Sequence, residues 1–581
     1  MNPSDTSEQN TPGLVQTALF FGKSRLLQLR RFYQDKAGNS LVRHPKSTEL
    51  CELPIVAEST TRLWNTDSFA EKRLTSGKVQ NLRLAARALS GVEVPAGVEF
   101  SFWKHVGRAN RRRGFVEGRE IREGCVIPTV GGGLCQMSNA LYDCALKAGF
   151  EITERHAHSR VVEGSMAEAG RDATVFWNYV DLRFRSTNKF RIETELDRDN
   201  LIVRIRADRD SALKSKKTLP VFGEDSRNGA NSCETCGVES CFRVLHEVES
   251  QDFTTIVVDE YYSEFDQFIK QNFGSGDRFL QPIDGARFKK ANYAWSSKGF
   301  SSVSYQTLLT IERAVRSRKL AAQGAARQRN LLEMSERLAD SYFKSIDPMS
   351  RKIVVQQNLL PHLYRNGALG GREYIVLMNA LPMAKIQEKL DFAKSLHPES
   401  TTLGDFRADD KLVELETMAL ENATEIVTPH REIAELFGAK ARLIDWKMPE
   451  TAKIDRKQNA KPVVVFPAST VGRKGVYELR DALRGRDVEL ILMGPLIESG
   501  SFWDGFSFTR DISGWVSRAD LVVLPAFVEH RPRRLLTAIA NGIPVICSPE
   551  CGIPDSEGVT IVKSGDSKAL GEAIENVLGG F

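Results

Sequence analysis

A glycine-rich turn that runs directly into a cysteine is the part of this chain best suited to covalent chemistry. The segment VGGGLCQMS, residues 130–138, places Cys135 in the first turn of a predicted helix. Unpaired backbone N–H groups and the helix dipole stabilise a thiolate at that position. Glycine lets the chain approach its surroundings closely, because it has no Cβ. Cys135 is therefore a candidate nucleophile.

Histidine and aspartate follow the cysteine, and they are the residue types that activate a thiol. The segment RHAHSR contains His156 and His158, and GRDATVFW contains Asp172. Either histidine could accept the thiol proton, and the aspartate would orient that histidine. The alternative is that Cys135 is a small buried apolar residue, which is the commoner role of a free cysteine.

A longer stretch around this cysteine, about residues 95–190, resembles the VanW family. The resemblance is carried by FSFWKHVGRANRRRGF at 100–115, VIPTVGGGLCQMSNALYDCALKAGFEITERHAHS at 126–159 and GRDATVFWNYVDLRFRSTNKF at 170–190. The family is known from vancomycin-resistance clusters and has no settled activity. The resemblance implies a domain of this family, and leaves its chemistry open.

The cysteine helix is also similar to that of transglutaminase-like folds. In those folds a Gly-x-Cys opens a helix, and a histidine and an aspartate follow on neighbouring strands. The similarity implies an α+β domain with Cys135 as nucleophile and His156 or His158 as base. The orienting acid would be Asp172 or, alternatively, Asp181.

A cysteine cluster in a polar stretch predicts a metal site. It has the spacing C-x2-C-x4-C-x4-H, with Cys233, Cys236, Cys241 and His246 as the four residues. A C-x2-C pair followed by glycine is typical of a zinc turn, so these residues are predicted ligands of a structural zinc ion. An iron–sulfur cluster completed by a distant cysteine is one alternative. A cysteine-rich loop without metal is the other.

Beyond residue 252 the hydrophobic pattern alternates between short apolar strands and helices. TTIVVD at 254–259, KIVVQ at 352–356 and VVVF at 463–466 are predicted strands, and 567–578 is a predicted closing helix. Alternation of this kind indicates parallel sheets covered by helices. Two such assemblies make a pair of lobes. Ligands of these sheets bind beyond the carboxyl ends of the strands.

The last part of the chain, about residues 420–581, resembles the C-terminal lobe of GT-B glycosyltransferases of family 4, or group 1. The landmarks are VVVFPASTVGRKGVYELRDAL, VELILMGP and ADLVVLPAFVEHRPRRLLTAIANGIPVICSPECGIP. The resemblance implies a nucleotide-sugar donor, with Lys474 on its diphosphate, Glu529 on the donor and Gly494 beside the nucleotide. Cations in such a site stabilise the charge of the departing diphosphate.

Two positions depart from the family pattern. The Gly-Arg pair that ends the first strand of the lobe is Ala468-Ser469 here, although Arg473 stands beside Lys474 and is a candidate substitute. The second family glutamate is Thr537. Loss of that carboxylate implies donor binding that is weakened, altered or lost.

A basic run follows Glu529 and gives the predicted donor site an unusual positive charge. It contains His530, Arg531, Arg533 and Arg534. His530 and Arg533 are included among the predicted donor-binding residues, because positive charge, above all that of arginine, attracts phosphate. Salt bridges on the following helix are the equal alternative, since arginine serves both roles.

Composition describes an ordinary globular chain. It has 581 residues, of which 41% are hydrophobic and 27% charged, with a net charge of +5 that gives no reason to expect nucleic acid as a partner. No window approaches the roughly 18 apolar residues of a membrane span. Nine irregularly spaced cysteines fit a reducing compartment, so the expected location is cytoplasmic. A basic helix at 18–32 either packs on the domain or contacts a membrane surface.

The predicted fold is a multidomain α/β protein, an N-terminal α+β VanW-like domain followed by a GT-B pair of Rossmann-like lobes. The domains are 1–206 with an N-terminal extension, a cysteine-rich linker at 207–251, an acceptor-side lobe at 252–445 and a donor-side lobe at 446–581. The leading hypothesis is transfer of a sugar from a nucleotide sugar to a cell-envelope or secondary-metabolite acceptor. The alternatives are a cysteine-dependent acyl or amide transferase or hydrolase using Cys135, and a non-catalytic binding or assembly protein.

Overall fold

The chain folds into two units, each described below by itself. The structure, a computed structural model, describes residues 14–37, 41–64, 69–122, 125–158, 166, 169–177, 179–208, 252–320, 324–451, 459–498, 501–510 and 513–579. Unit 1 comprises Met1–Asp252, Asp347–Arg351 and Asn366–Arg372, and unit 2 comprises Phe253–Ile346, Lys352–Arg365 and Glu373–Phe581. The zinc ligands predicted at Cys233, Cys236, Cys241 and His246 lie outside the described residues, so that site stays a prediction.

Unit 1 combines short antiparallel sheets with helices. Its elements in chain order are α1 (Leu14–Ala37), β1 (Ile55–Arg62), α2 (Phe69–Leu89), β2 (Val92–Val94), β3 (Glu99–Ser101), α3 (Phe102–Val106), β4 (Glu117–Arg122), β5 (Cys125–Val130), α4 (Leu134–Lys147), β6 (Glu151–Glu154), β7 (Arg183–Arg185), β8 (Phe190–Leu196) and β9 (Asn200–Ala207). One sheet has the order β1-β9-β8-β2, a second has the order β3-β7-β6, and β4 and β5 form a hairpin. This is the α+β architecture that the sequence predicts.

The core of unit 1 lies between the β1-β9-β8-β2 sheet and the helices α2 and α4. Alternate residues of β9 are buried, among them Leu201, Val203 and Ile205, which is the period of two expected when one face of a sheet is covered. Met137 and Leu141 of α4 are fully buried in the same cluster. This packing fixes the first turn of α4, where Cys135 lies.

The three glycines before α4 are required by close packing of the backbone. Gly131 and Gly133 have φ angles of +84° and +92°, in a region that side chains with a Cβ rarely adopt. A Cβ on Gly132 would lie 2.3 Å from the carbonyl oxygen of Gly118. The glycine turn therefore presses against the β4–β5 hairpin and sets the position of α4.

We expect Gly132→Ala to destabilise the protein by about 1–3 kcal/mol, the usual cost of overpacking. The added methyl group would overlap the Gly118 carbonyl, and neither backbone can move without disturbing the hairpin. Urea denaturation measures the effect. Gly22→Ala in α1 is the control, because a Cβ there meets nothing within 4 Å. Equal unfolding midpoints for the two variants would contradict the packing argument.

Helix α1 docks on unit 1 by one face and exposes apolar side chains on another. Arg183 donates a hydrogen bond to Asp35 at 3.0 Å, whereas Leu26 and Leu29 are 68% and 56% exposed. Packing on the domain, one of the two sequence alternatives, is thus confirmed for part of the helix, and membrane contact stays a prediction. Across the described ranges, no helix is long and apolar enough to cross a bilayer.

Unit 2 contains two parallel sheets with interleaved helices. The first set is β10 (Thr254–Val257), α5 (Ser263–Asn272), β11 (Arg278–Gln281), β12 (Ser302–Tyr305), α6 (Thr307–Arg318), α7 (Ala325–Ser345), β13 (Lys352–Gln356), α8 (Leu360–Arg365), β14 (Glu373–Leu377), α9 (Met383–Leu396), α10 (Asp410–Asn422), β15 (Glu425–Thr428), α11 (Arg431–Phe437) and β16 (Ala441–Leu443). The second set is β17 (Val463–Phe466), α12 (Val476–Leu483), β18 (Glu489–Leu492), β19 (Phe508–Thr509), α13 (Trp515–Arg518), β20 (Leu521–Leu524), α14 (Arg533–Ala540), β21 (Val545–Cys547), β22 (Val559–Ile561) and α15 (Ser567–Leu578).

Both sheets have the doubly wound strand order that the two-lobe prediction requires. The first runs β12-β11-β10-β13-β14-β15-β16 and the second β19-β18-β17-β20-β21-β22, and all paired strands in them are parallel. The order reverses beside β10 in one sheet and beside β17 in the other. Such a switch point leaves a crevice at the carboxyl ends of the two central strands, and ligands bind there.

Candidate functional site

Two oppositely charged side chains meet at the switch point of the second sheet. Lys474 lies in the turn after β17, and Glu529 follows β20. The Nζ atom of Lys474 lies 2.9 Å from Oε2 of Glu529 and donates to the Val528 carbonyl at 2.7 Å. The two residues that the family resemblance places on the donor therefore form one ion pair in the crevice.

Backbone contacts join the two loops that carry this pair. The amides of Phe527 and Val528 donate to the Arg473 carbonyl at 3.0 and 3.2 Å. Gly475 has a φ of +73°, and a Cβ on it would lie 2.0 Å from the Pro525 carbonyl oxygen. Only glycine lets the two loops pack so closely, and their packing sets the distance between Lys474 and Glu529.

The electrostatics of the pair favour a charged carboxylate beside a neutral imidazole. Burial alone would raise the pKa of Glu529, but the Lys474 ammonium and the Arg531 amide lower it. Burial and the Lys474 charge lower the pKa of His530 to about 3. His530 is consequently uncharged at neutral pH, so the positive charge predicted for residues 530–534 comes from the arginines.

A second cluster of reactive groups lies in unit 1. Cys135 is the second residue of α4, which is capped by Gly133, and its Sγ is 4.0 Å from the Val175 carbonyl oxygen. Nδ1 of His158 lies 2.7 Å from Oδ2 of Asp172, and Cys135 is close enough to raise the pKa of the imidazole. A carboxylate and an imidazole are thus hydrogen-bonded beside a thiol, and these are the group types of a nucleophile, its base and the group that orients the base.

The geometry separates the alternatives that the sequence left open. His156 is largely exposed and its Nε2 lies 3.3 Å from Oε1 of Glu154. Asp181 accepts hydrogen bonds from the Ser101 hydroxyl at 2.6 Å and the Trp103 amide at 3.1 Å. Asp181 thus ties β3 to α3, and His158 with Asp172 are the residues assembled at the thiol.

Asp172 is held in an unusually complete set of hydrogen bonds. It accepts from the His158 amide at 2.6 Å and from Nη2 of Arg155 at 2.6 Å. Burial would raise the pKa of Asp172, but the bonds from His158 and the Arg155 charge lower it to about 2. Burial would lower the pKa of His158, but its bonds to Asp172 and Cys135 raise it to about 9. The imidazole is therefore protonated at neutral pH.

We expect His158 to make the stability of the protein depend on pH in the alkaline range. Its pKa in the folded state, about 9, exceeds its ordinary value of 6.5, so its protonation stabilises the fold below pH 6.5 and this contribution is lost as pH rises through about 9. The difference in Tm between wild type and His158→Ala should be larger near about pH 6 than near about pH 10. His156→Ala is the matched control. A gap that stays constant with pH would contradict the assignment.

The two clusters lie in parts of the chain that match known families. Residues 77–206 match the family model for VanW like protein. The vancomycin B-type resistance protein VanW of Enterococcus faecalis (strain ATCC 700802 / V583) is 31% identical over 160 residues, which are 27% of this chain and 58% of that protein. Residues 461–579 match the model for glycosyl transferases group 1.

Residues 77–206 are a VanW domain, and residues 461–579 are a group 1 glycosyltransferase domain. A putative teichuronic acid biosynthesis glycosyltransferase, TuaC of Bacillus subtilis (strain 168), is 28% identical over 140 residues, which are 22% of this chain and 36% of that protein. The chain spans between 34% and 58% of the curated relatives it matches. The lipopolysaccharide outer core galactosyltransferase WaaB, in its apo form, is similar at 14% identity and a TM-score of 0.31, over 57% of this chain and 91% of that one.

Other predicted donor residues of the glycosyltransferase domain have structural partners. Arg533 pairs through both guanidinium nitrogens with the Glu264 carboxylate of α5, and its Nη1 lies 2.7 Å from Oε1. The salt-bridge alternative is thus what the structure gives for this arginine. A Cβ on Gly494 would lie 2.3 Å from the Ala468 carbonyl oxygen, so packing alone requires this glycine. Thr537 donates its hydroxyl proton to the Arg533 carbonyl at 2.9 Å.

Two residues near the loops that carry Lys474 and Glu529 gave no signal in the sequence. Phe406 has a φ of +65°, an uncommon conformation for a bulky residue, and its ring lies 5.0 Å from the Arg473 guanidinium carbon and 5.5 Å from the His530 ring. Glu498 is buried and accepts from the Gly472 amide at 3.0 Å and the Ser400 hydroxyl at 2.8 Å. Both residues contact segments that are distant in the sequence, so no local pattern contains these contacts.

The lobe before the glycosyltransferase domain has its own buried ion pair at its switch point. Asp259, just beyond β10, accepts from both terminal nitrogens of Arg313 at 2.8 Å. It also accepts from the Asn358 amide at 2.7 Å. The pair ties the end of β10 to helix α6.

Metal ligation has no candidate among the residues that the structure describes. Within those ranges, no group of histidine, cysteine and carboxylate side chains could hold an ion. The zinc and iron–sulfur hypotheses concern the cysteine cluster at 233–246, outside those ranges. They stay predictions, and metal analysis of the purified full-length chain tests them.

Proposed function

We propose that unit 2 transfers a sugar from a nucleotide-sugar donor, bound in the crevice of the group 1 glycosyltransferase domain. The observation that carries the proposal is the Lys474–Glu529 ion pair at the switch point between β17 and β20. It brings a cation to the place where a doubly wound sheet binds nucleotides. The family match over 461–579 supports the same reaction class.

Lys474 would stabilise the negative charge that develops on the diphosphate as the sugar departs. A preorganised cation in a partly buried site is worth more than the same charge in water, because little solvent has to reorganise. The Val528 carbonyl and Glu529 hold the ammonium in place before the donor arrives. Arg473, buried against the Phe406 ring, adds a second positive charge to the same turn.

We propose a cell-envelope polymer rather than a secondary metabolite as the acceptor. The support is the Bacillus subtilis relative, whose name assigns it to teichuronic acid biosynthesis. The acceptor would enter from the preceding lobe, whose switch point holds Asp259 and Arg313. A donor lobe that has lost catalysis is the competing hypothesis, and the departures at Ser469 and Thr537 favour it.

A thermal-shift screen of the full-length chain distinguishes these hypotheses. The probes are UDP, GDP, ADP and their glucose conjugates. We expect one nucleotide class to stabilise the protein, by about 2.7 kcal/mol at ~100 times its Kd, and Lys474→Ala to lose that shift. Lys461→Ala is the control, since Lys461 is an exposed lysine of the same lobe that pairs with Asp487. If no compound of the panel raises the melting temperature of the wild-type chain, the result would support the non-catalytic hypothesis.

A further inference from the structure

We infer that the VanW domain contains an acyl-transfer centre in which Cys135 attacks the carbonyl carbon of an amide or ester, with His158 as the acid–base and Asp172 as the group that orients it. This reaction is separate from glycosyl transfer. It would stand even if unit 2 bound no nucleotide.

The hydrogen bonds that fix Asp172 and His158 in the neighbourhood of Cys135 carry the inference. Asp172 engages Nδ1 of His158 at 2.7 Å, so Nε2 is the ring nitrogen left for the thiol. The His158 amide binds the same Asp172 oxygen at 2.6 Å, which fixes the backbone as well as the ring. Arg155 clamps the other Asp172 oxygen at 2.6 Å and is a positioning residue.

The solvent exposure of the three side chains is lowest at the carboxylate and higher at the imidazole and the thiol. The side chain of Asp172 is 3% exposed, that of His158 is 30% exposed, and Cys135 is half-buried. A substrate can therefore reach the thiol and the imidazole, while the carboxylate is shielded from solvent. Low exposure to water strengthens the hydrogen bond that orients the histidine.

A second cysteine on the same helix shows what an inert thiol looks like here. Cys144 is fully buried in the core of unit 1 and its Sγ donates to the Val203 carbonyl at 3.2 Å. Burial raises the pKa of Cys144 well above its ordinary value. Cys135 has a histidine and access to solvent, so the two thiols of α4 differ in both requirements for reactivity.

The charge state of the histidine suits a thiolate–imidazolium pair. The charged and titratable groups around His158 are Asp172, which accepts a hydrogen bond from it, Cys135, and Arg155 on the far side of the carboxylate. The pKa of His158, about 9, keeps its proton in place at neutral pH, and a cation beside a sulfur stabilises the thiolate.

The reaction balances without any redox partner. The Cys135 sulfur forms a bond to the carbonyl carbon while the C–N or C–O bond of the substrate breaks, and the His158 proton passes to the leaving amine or alcohol. Water or an amine then attacks the thioester and gives its proton to His158, and the thiolate leaves. The products are an acid or a new amide.

Alkylation of the full-length chain by iodoacetamide, resolved by peptide mass spectrometry, tests the centre. Near about pH 6 we expect Cys135 to react at least about tenfold faster than the half-buried Cys51, because only Cys135 is paired with an imidazolium. His158→Ala should remove this advantage, and His156→Ala should keep it. Equal rates for the two cysteines, or an unchanged rate in His158→Ala, would overturn the proposal.

Acylation by p-nitrophenyl acetate tests the transfer step itself. We expect a stoichiometric burst of nitrophenol and an acetyl group on Cys135, both lost in Cys135→Ser. Asp172→Asn provides a second variant should His158→Ala fail to fold, and it should move the pH profile of Cys135 alkylation toward that of Cys51. Absence of the acetyl group from Cys135, or an unmoved profile in Asp172→Asn, would sink the assignment. Neither readout depends on a nucleotide sugar, so failure here is distinguishable from failure of the proposed glycosyl transfer.

Discussion

Lys474→Ala should lower the rate of glycosyl transfer by about 10²–10³-fold, the usual effect of removing one group that stabilises transition-state charge. The ammonium lies at the switch point, 2.9 Å from Glu529, where the diphosphate of the departing nucleotide would accumulate charge. The loss should appear mainly in kcat, because the charge develops as the bond breaks. Release of nucleoside diphosphate from the donor that the thermal-shift screen selects is the measurement.

Two controls separate catalysis from folding in this experiment. Lys461→Ala removes an exposed lysine of the same lobe and should leave turnover unchanged. Lys474→Ala also leaves Glu529 without its cation, so its melting curve must be recorded beside its kinetics. Turnover in Lys474→Ala equal to that of wild type would contradict the proposed role of Lys474.

Arg313→Leu should destabilise the protein by about 3–5 kcal/mol, because removal of one partner of a buried ion pair leaves the other charge uncompensated. Arg313 makes two 2.8 Å bonds to Asp259, and both residues are buried. Burial would lower the pKa of Arg313, but the charge and hydrogen bonds of Asp259 raise it. The free energy of unfolding, from urea denaturation followed by fluorescence, is the measurement.

The same helix offers a matched comparison. Arg316 pairs with Glu333 at 2.7 Å, but both side chains are exposed. Such pairs contribute at most about 1 kcal/mol, so Arg316→Leu should change stability little. The double variant Asp259→Leu/Arg313→Leu should be less destabilised than Arg313→Leu. The burial argument fails if the two arginine variants are equally stable.

Sequence reasoning succeeded where local pattern decides the outcome. Strands β13 and β17 occupy the predicted ranges at 352–356 and 463–466, because a strand buried on both faces is a continuous apolar run. Strand β12 was not predicted, since all four of its residues are half-buried or exposed and it lies at the sheet edge. An edge strand forms by pairing with the neighbouring strand, so its own composition does not predict it.

For the site residues too, local motifs could be predicted from the sequence and contacts between distant segments could not. The motif at Cys135 predicts a candidate nucleophile, but spacing does not choose between His156 and His158, because both lie in the loop after β6, which ends at Glu154. The pairing of Arg533 with Glu264 joins positions 269 residues apart, so no local pattern contains it. The conformation of Phe406 likewise depends on packing rather than on its neighbours in sequence.

The backbone bonds between the Arg473 carbonyl and the amides of Phe527 and Val528 carry a consequence for engineering. The two loops that hold Lys474 and Glu529 form a single rigid piece, locked further by Gly475 against Pro525. A designer who grafts a new donor specificity onto this scaffold must transplant both loops together. A loop transplanted alone would lack the backbone hydrogen bonds to the other loop that hold its conformation.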